Sequence, residues 1–93
     1  MTSSVKSVST IEQLELLLDL AKDMGYEVRH EVLGGSGGGA CTFAGRKCLF
    51  VDLSLTAMDQ LDQVSRALCN DPQLALYEMT DHQEDALRHR KAA

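Results

Sequence analysis

The strongest strand pattern in the chain is KCLFVDL, at residues 47–53. Most of these residues are apolar, and they run together instead of alternating with polar ones. An apolar run of this kind is typical of a strand that is covered, at least in part, on both faces. The pattern therefore predicts a central strand, around which the rest of a sheet is arranged.

Two more strand patterns lie before this one. Residues 26–33 (YEVRHEVL) alternate as a half-buried strand does, and residues 40–44 (ACTFA) form a second, shorter candidate. Between them lies GGSGGG at residues 34–39. Its side chains are too small to hold one conformation, so this segment is predicted to be a loop.

The short strand and the central strand are predicted to form a hairpin. The pair Gly45-Arg46 suits a two-residue turn with glycine first. Such a turn places Cys41 opposite Phe50 and Phe43 opposite Cys48. All four side chains then share one face of the hairpin.

A helix is predicted before the first strand. Ser9 or Thr10 can cap it, because Glu12 or Gln13 follows at the capping-box spacing. Gly25 is a natural residue to end it. Its inner face is apolar at helical spacing and consists of Ile11, Leu14, Leu17, Leu18, Ala21 and Met24.

Leu16 and Leu20 widen the apolar arc of this helix beyond the stripe that one packed face requires. A helix of this kind is either flanked on two sides within its own chain or buried against another subunit. Leu16 and Leu20 are therefore candidate residues of a subunit interface.

The C-terminal half is predicted to begin with a helix that Thr56 caps and that ends near Cys69. Residues 72–79 are ambiguous. Asp71 followed by Pro72 is a good helix start, whereas LALYEM at 74–79 also resembles a short strand. We interpret 74–79 as a strand and 81–91 as a final helix.

The predicted order is α-β-β-β-α-β-α, which indicates an α+β fold. We expect a three- to four-stranded, mainly antiparallel sheet, connected as a meander, with two to three helices packed on it. This single domain spans residues 9–91, and the serine-rich residues 1–8 are predicted to be a disordered tail.

Bulk composition argues against nucleic acid and membranes as partners. The 93 residues carry a net charge of −5, whereas a nucleic-acid-binding domain normally has a basic patch. The N-terminus lacks the apolar stretch of a secretory signal, and no segment has the apolar length of a membrane span. An odd number of cysteines without a signal peptide favours reduced thiols and a cytoplasmic location.

The glycine-rich loop is the first candidate site. Gly35, Gly37 and Ala40 formally match the dinucleotide-binding fingerprint, but that motif needs a helix directly after it and a strand follows here. The loop can be a plain connection, a partner-binding loop or a backbone N–H nest for an anion. The candidate ligand-binding residues are Gly35, Ser36, Gly37, Gly38 and Gly39, with Cys41 and Asp52 beside them.

For Asp52, the alternative to ligand binding is local capping of the turn that follows it. For the cysteines, the alternatives are core packing, a redox-sensitive thiol or a metal site, of which core packing is favoured. No metal or cofactor is predicted. The sequence contains no His-Glu-x-x-His or Gly-x-Ser-x-Gly motif, which argues against an enzyme.

The segment from Gly38 to Asp52, with its glycines, Cys41 and a Gly-Arg turn before a strand ending in Asp, resembles small uncharacterised bacterial proteins. The resemblance covers about half of the chain. It implies a bacterial cytosolic setting and no mechanism, because that group has no established activity.

The sequence therefore favours a non-enzymatic protein that acts through protein–protein contact, as a homodimer or an accessory subunit. A small-ligand or anion-binding module that uses the glycine loop is the alternative, and a thiol redox or metal site is the third.

Overall fold

A computed structural model describes residues 9–35 and 37–88, and within them the fold is α+β. The elements, in chain order, are helix α1 (Thr10–Asp23), strands β1 (Glu27–Glu31), β2 (Gly39–Phe43) and β3 (Arg46–Asp52), helix α2 (Ala57–Cys69), a 3₁₀ helix (Pro72–Leu76) and helix α3 (Asp81–Arg88). The predicted tail 1–8 and the predicted last residues of the final helix, 89–91, lie outside the described residues.

The sheet has three strands in the order β1-β3-β2, so the prediction that β3 is central is confirmed. The predicted antiparallel meander is wrong, because β1 pairs with β3 in parallel and only β2 pairs with it antiparallel. After β1 the chain passes the end of β3, where the N–H groups of Leu33 and Gly35 donate to Asp52, so β1 and β2 lie on opposite sides of β3, about 10 Å apart.

One face of the sheet is covered by α1 and α2. Leu49 and Val51 of β3 point to this side and are fully buried. The predicted caps position both helices: Ser9 and Glu12 form a reciprocal capping box on α1, and the Thr56 hydroxyl accepts from the Asp59 N–H on α2. The core that results is mainly leucine and valine, as a chain with so few aromatic residues requires.

Residues 74–79 do not form the predicted strand. The Asp71 side chain accepts a hydrogen bond from the Gln73 N–H, and Pro72 begins a 3₁₀ helix that ends at Leu76. Leu74 and Tyr77, three residues apart, pack against the core, whereas Leu76 is 80% exposed. The spacing from Leu74 to Tyr77 is that of a 3₁₀ turn, and Met79 packs against the core beyond the end of the 3₁₀ helix.

The hairpin turn consists of Ala44 and Gly45, one residue before the predicted turn. Phe43 pairs with Arg46, and Cys41 pairs with Cys48 instead of Phe50. This register differs from the predicted one by two residues, so every side chain keeps its predicted face. The predicted sharing of a face is therefore confirmed, and the predicted partners are wrong.

Ala44 offers a first testable prediction. Its φ of 55° and the φ of 77° at Gly45 are those of a type I′ turn, in which a left-handed alanine is unfavourable. We expect Ala44→Asn to raise the free energy of unfolding by about 1 kcal/mol, because asparagine tolerates this conformation better. Urea denaturation measures the change. Gly45→Ala is the matched control and should destabilise the protein, and an unchanged A44N midpoint would argue against this turn type.

Candidate functional site

The second face of the sheet is covered by no helix among residues 9–35 and 37–88. We call it the open face, and its residues are Glu27, Arg29, Glu31, Cys41, Phe43, Arg46, Cys48 and Phe50. Phe43 is 72% exposed, and Phe50 is half-buried. Most of these residues, with Ala44, line a groove of about 690 Å³. The open face is thus an apolar surface with charged residues at its margin.

The charges of the open face balance. Arg29 lies between Glu27 and Glu31, at 3.8 Å and 3.4 Å from their carboxylate oxygens. Arg46 supplies a second positive charge beside the turn. The four side chains sum to zero, whereas the whole chain carries −5. The open face is therefore less acidic than the protein's surface as a whole.

The glycine loop crosses the end of β3 and is held there by Asp52. The Asp52 carboxylate accepts hydrogen bonds from the backbone N–H groups of Leu33 (2.9 Å) and Gly35 (2.6 Å). It also accepts from the Ser54 N–H (2.9 Å) and the Ser54 hydroxyl (2.6 Å). The carboxylate thus joins the loop to the turn that precedes α2.

Asp52 is completely buried, yet the pKa of its carboxyl is below the ordinary value. The hydrogen bond from the Ser54 hydroxyl, together with those from the backbone N–H groups of Leu33, Ser54 and Gly35, lowers its pKa to about 2, against the opposing effect of burial. The predicted capping of the following turn is therefore present, and the bonds to the loop are added to it.

These bonds bear directly on the anion-site alternative. The N–H groups of Leu33 and Gly35 already donate to a carboxylate of the protein itself, which occupies the place that a bound anion would take. A Cβ at Gly38 would overlap the end of the flexible Gln63 side chain on α2, which would have to move. Gly37 lies beside Leu33, and Ser36 lies outside the described residues. The described part of the loop is thus a connection that hydrogen bonds to Asp52 hold in place.

Two residues of the predicted ligand site, Cys41 and Asp52, lie far apart in the sheet. Gly39 begins β2 opposite Phe50, and Cys41 lies opposite Cys48. Asp52 is four residues beyond Cys48 along β3, which corresponds to about 13 Å. Cys41 and Asp52 therefore do not line one site.

The three cysteines have different environments. Cys41 and Cys69 are exposed, whereas Cys48 is only 3% exposed. Cys48 nevertheless lies on the open face and is not part of the core beneath the helices. Among the described residues, no group of three or more His, Cys, Asp or Glu is placed to hold a metal ion.

Leu20 is 1% exposed and belongs to the protein's own core, and Leu16 is half-buried. Helix α1 packs against β1, α2 and α3 together, which explains its wide apolar arc. Of the two explanations for that arc, flanking within the chain is the one that applies. The arc therefore gives no argument for a subunit interface on this helix.

A polar cluster of Tyr26, Lys47 and Asp71 lies at the end of the sheet opposite the glycine loop, and sequence patterns did not indicate it. The Tyr26 hydroxyl donates to Asp71 Oδ2 at 2.7 Å, and Lys47 Nζ lies 2.9 Å from the same oxygen and 4.4 Å from the centre of the Tyr26 ring. Burial, followed by the bond to Asp71, raises the pKa of Tyr26 to about 12. The bond from Tyr26 contributes most to lowering the pKa of Asp71 to about 2.

This cluster joins the end of α1, the start of β3 and the 3₁₀ helix, because Lys47 Nζ also donates to the Met24 carbonyl at 3.1 Å. Its members lie far apart in the chain and follow no local period. The Asp-Pro helix start was the one visible signal, and it indicated the 3₁₀ helix rather than the pairing. The cluster's bonds are satisfied internally, so we assign it a structural role.

Comparisons with protein-family models, with curated proteins and with solved structures found no match to this chain. In the described part of the chain, no helix has the length and apolar character that crossing a membrane requires. Arguments about function therefore rest on the geometry of the open face and the loop.

Proposed function

We propose that this protein acts through protein–protein contact and that the open face is the contact surface, occupied by a second copy of the same chain. The observation that carries the proposal is Phe43, a large apolar side chain that is 72% exposed beside a groove lined by Phe50 and Cys48. In a two-fold pair, Phe43 of each copy packs into the groove of the other.

Charge favours a second copy as the occupant. Two chains of net charge −5 repel each other over most of their surfaces. On the open face two arginines and two glutamates cancel, so two copies that meet there repel each other less than the net charge of the whole chain implies. A two-fold axis also brings each surface against itself, which requires both signs of charge on the same face. A strongly acidic or basic partner would instead be expected to meet a face of one sign.

The small size of the face indicates a weak, reversible contact. Three strands of five to seven residues cover roughly 300 Å² per copy, or roughly 600 Å² for the two copies together, so the interface falls below the 1,200 Å² or so of total buried surface in a standard complex. We therefore expect a reversible dimer with a dissociation constant on the order of 10–100 µM.

Sedimentation velocity over a concentration series tests the proposal. We expect the wild-type chain to shift from monomer to dimer between low and high micromolar concentration, and Phe43→Asp to weaken the dimer at least about tenfold. The substitution buries a charge in the interface and does not disturb the core, because Phe43 is exposed in the single chain.

Leu76→Asp is the matched control, since Leu76 is 80% exposed on the 3₁₀ helix, which contacts α2, and it does not line the groove. It should dimerise as the wild type does. A wild-type chain that remains monomeric at several hundred micromolar would overturn the proposal. A dimer that L76D weakens and F43D leaves intact would also overturn it, because the contact would then lie elsewhere.

A further inference from the structure

The register of the hairpin sets two thiols directly opposite each other. Cys41 on β2 and Cys48 on β3 are cross-strand partners on the open face. Opposed residues of an antiparallel pair have Cα atoms about 4.5 or 5.5 Å apart, depending on the pair type. Both separations lie within the range of about 4.4–6.8 Å in which disulfides form.

We propose that Cys41 and Cys48 are a redox-active pair, which forms a reversible disulfide by exchange with a low-molecular-weight disulfide such as oxidised glutathione. This inference does not depend on the proposed dimer. It assigns a chemical activity to the open face that a plain contact surface would not have.

The exposures of the two thiols suit a two-step exchange. Cys41 is exposed on an outer strand, where a small disulfide can reach it. Cys48 is 3% exposed, so external reagents are largely excluded, whereas its neighbour across the strand pair is adjacent. Cys41 is thus the attacking thiol, and Cys48 is the resolving thiol.

Each step is a thiol–disulfide exchange, and the two steps balance. The Cys41 thiolate attacks one sulfur of oxidised glutathione, which forms a mixed disulfide and releases one glutathione thiolate. The Cys48 thiolate then attacks the Cys41 sulfur and releases the second glutathione thiolate. Two protein thiols are oxidised, one glutathione disulfide is reduced, and the two protons from the protein thiols go to the departing thiolates.

Strand geometry makes the product reducible. Cβ atoms of directly opposed residues lie about 4.5–5.5 Å apart, and a disulfide needs about 3.5–4.5 Å. Phe43 and Arg46 close the two-residue turn as a hydrogen-bonded pair, and pairs alternate along the ladder, so Cys41 and Cys48 also form a hydrogen-bonded pair, at the wider spacing. The strands must therefore approach each other slightly, and the closed bond is strained. A strained bond at an exposed strand is reduced more easily than a structural disulfide is. The pair is thus suited to switching and not to permanent cross-linking.

Incubation of the reduced protein with oxidised glutathione, followed by alkylation and mass spectrometry, tests the inference. The protein is kept at low micromolar concentration, where the proposed dimer is dissociated and Cys41 is exposed. We expect two of the three cysteines to escape alkylation and the unalkylated mass to fall by about 2 Da, the mass of two hydrogens. Trypsin cleaves after Arg46 and Lys47, so the two cysteines fall in separate peptides, which the disulfide joins. Reduced glutathione in excess should restore all three thiols.

Variants separate the two steps. Cys69→Ser is the matched control, because Cys69 is exposed at the end of α2 and has no cysteine partner in the hairpin, and it should oxidise as the wild type does. Cys48→Ser should stop at the mixed disulfide on Cys41, and Cys41→Ser should leave Cys48 largely unmodified.

Four results for the wild-type chain would overturn the inference. The chain could keep three free thiols or accumulate a lasting mixed disulfide, or its main product could be a Cys41–Cys69 link or a cross-link between chains. The peptide map of the wild type decides the question even where a serine variant fails to fold. The same map of the F43D variant should show the Cys41–Cys48 link, so failure of the dimer and failure of the thiol pair are distinguishable.

Discussion

Asp52→Ala is expected to lower the thermal midpoint by more than about 10 °C. Hydrogen bonds to a charged acceptor contribute about 1.5–3 kcal/mol each, and each kcal/mol moves the midpoint of a domain this small by about 4–8 °C. The variant removes the acceptor of the Leu33, Gly35 and Ser54 N–H groups together. The connection between β1 and β2 is then released from the end of β3. Differential scanning calorimetry measures the loss.

Asp19→Ala is the matched control, since it removes one carboxylate from an exposed position on α1 and should change the midpoint little. Asp52→Asn is a second comparison. It keeps the size of the side chain but turns one acceptor into a donor that faces N–H groups, so it should also destabilise the protein. Near-wild-type stability of both Asp52 variants would show that the carboxylate does not hold the loop.

The same carboxylate should make stability depend on pH. Its pKa is about 2 in the folded protein, below the ordinary value of 3.8, so the folded state binds a proton less readily than the unfolded state does. The stabilisation is therefore present above about pH 4 and is lost as the pH falls towards 2. Asp71 acts in the same direction, because its pKa is also lowered to about 2. The D52A midpoint should accordingly fall less between pH 4 and pH 2 than that of the wild type.

Leu20→Ala is expected to reduce the free energy of unfolding by about 3 kcal/mol, within the range measured for buried leucines replaced by alanine. Leu20 is 1% exposed, so its removal leaves a cavity where α1 packs within the chain. Urea denaturation at two protein concentrations measures the effect. The loss should be the same at both, because the cavity lies inside one chain.

Ile11→Ala is the control for this experiment. Ile11 lies on the predicted inner face of α1 but is 60% exposed, so its replacement should cost less than about 1 kcal/mol. A Leu20 variant that keeps its stability but dimerises less well would contradict the packing and would return Leu20 to a subunit interface. The pair I11A and L20A thus tests which side of α1 faces the core.

Local chemistry explains why so much of the fold could be predicted. The capping box of α1, the left-handed Gly25 and the apolar run of β3 act over a few residues, so the sequence alone indicates them. The sharing of a face by Cys41 and Phe43 follows from the two-residue period of a strand. That period survives an error of two residues in register, which is why the faces were predicted correctly and the partners were not.

The candidate site was harder to predict, because its decisive contacts join distant parts of the chain. Glycine content indicated a loop, but only the fold shows that Asp52 holds it and uses the N–H groups of Leu33 and Gly35. The pairing of Cys41 with Cys48 depended on a turn shifted by one residue, at a left-handed Ala44 that no propensity favours.

By itself, the sequence determined an α+β domain with β3 at the centre of its sheet and a hairpin face that bears two thiols and two phenylalanines. These features arise from periodicity and capping, which are local. Only the tertiary structure decided that β1 lies parallel to β3, that Leu20 is core and that one face of the sheet is uncovered among the described residues. Those features depend on which helices and strands pack together. That arrangement is determined by the free energy of packing of the whole chain and not by any local segment.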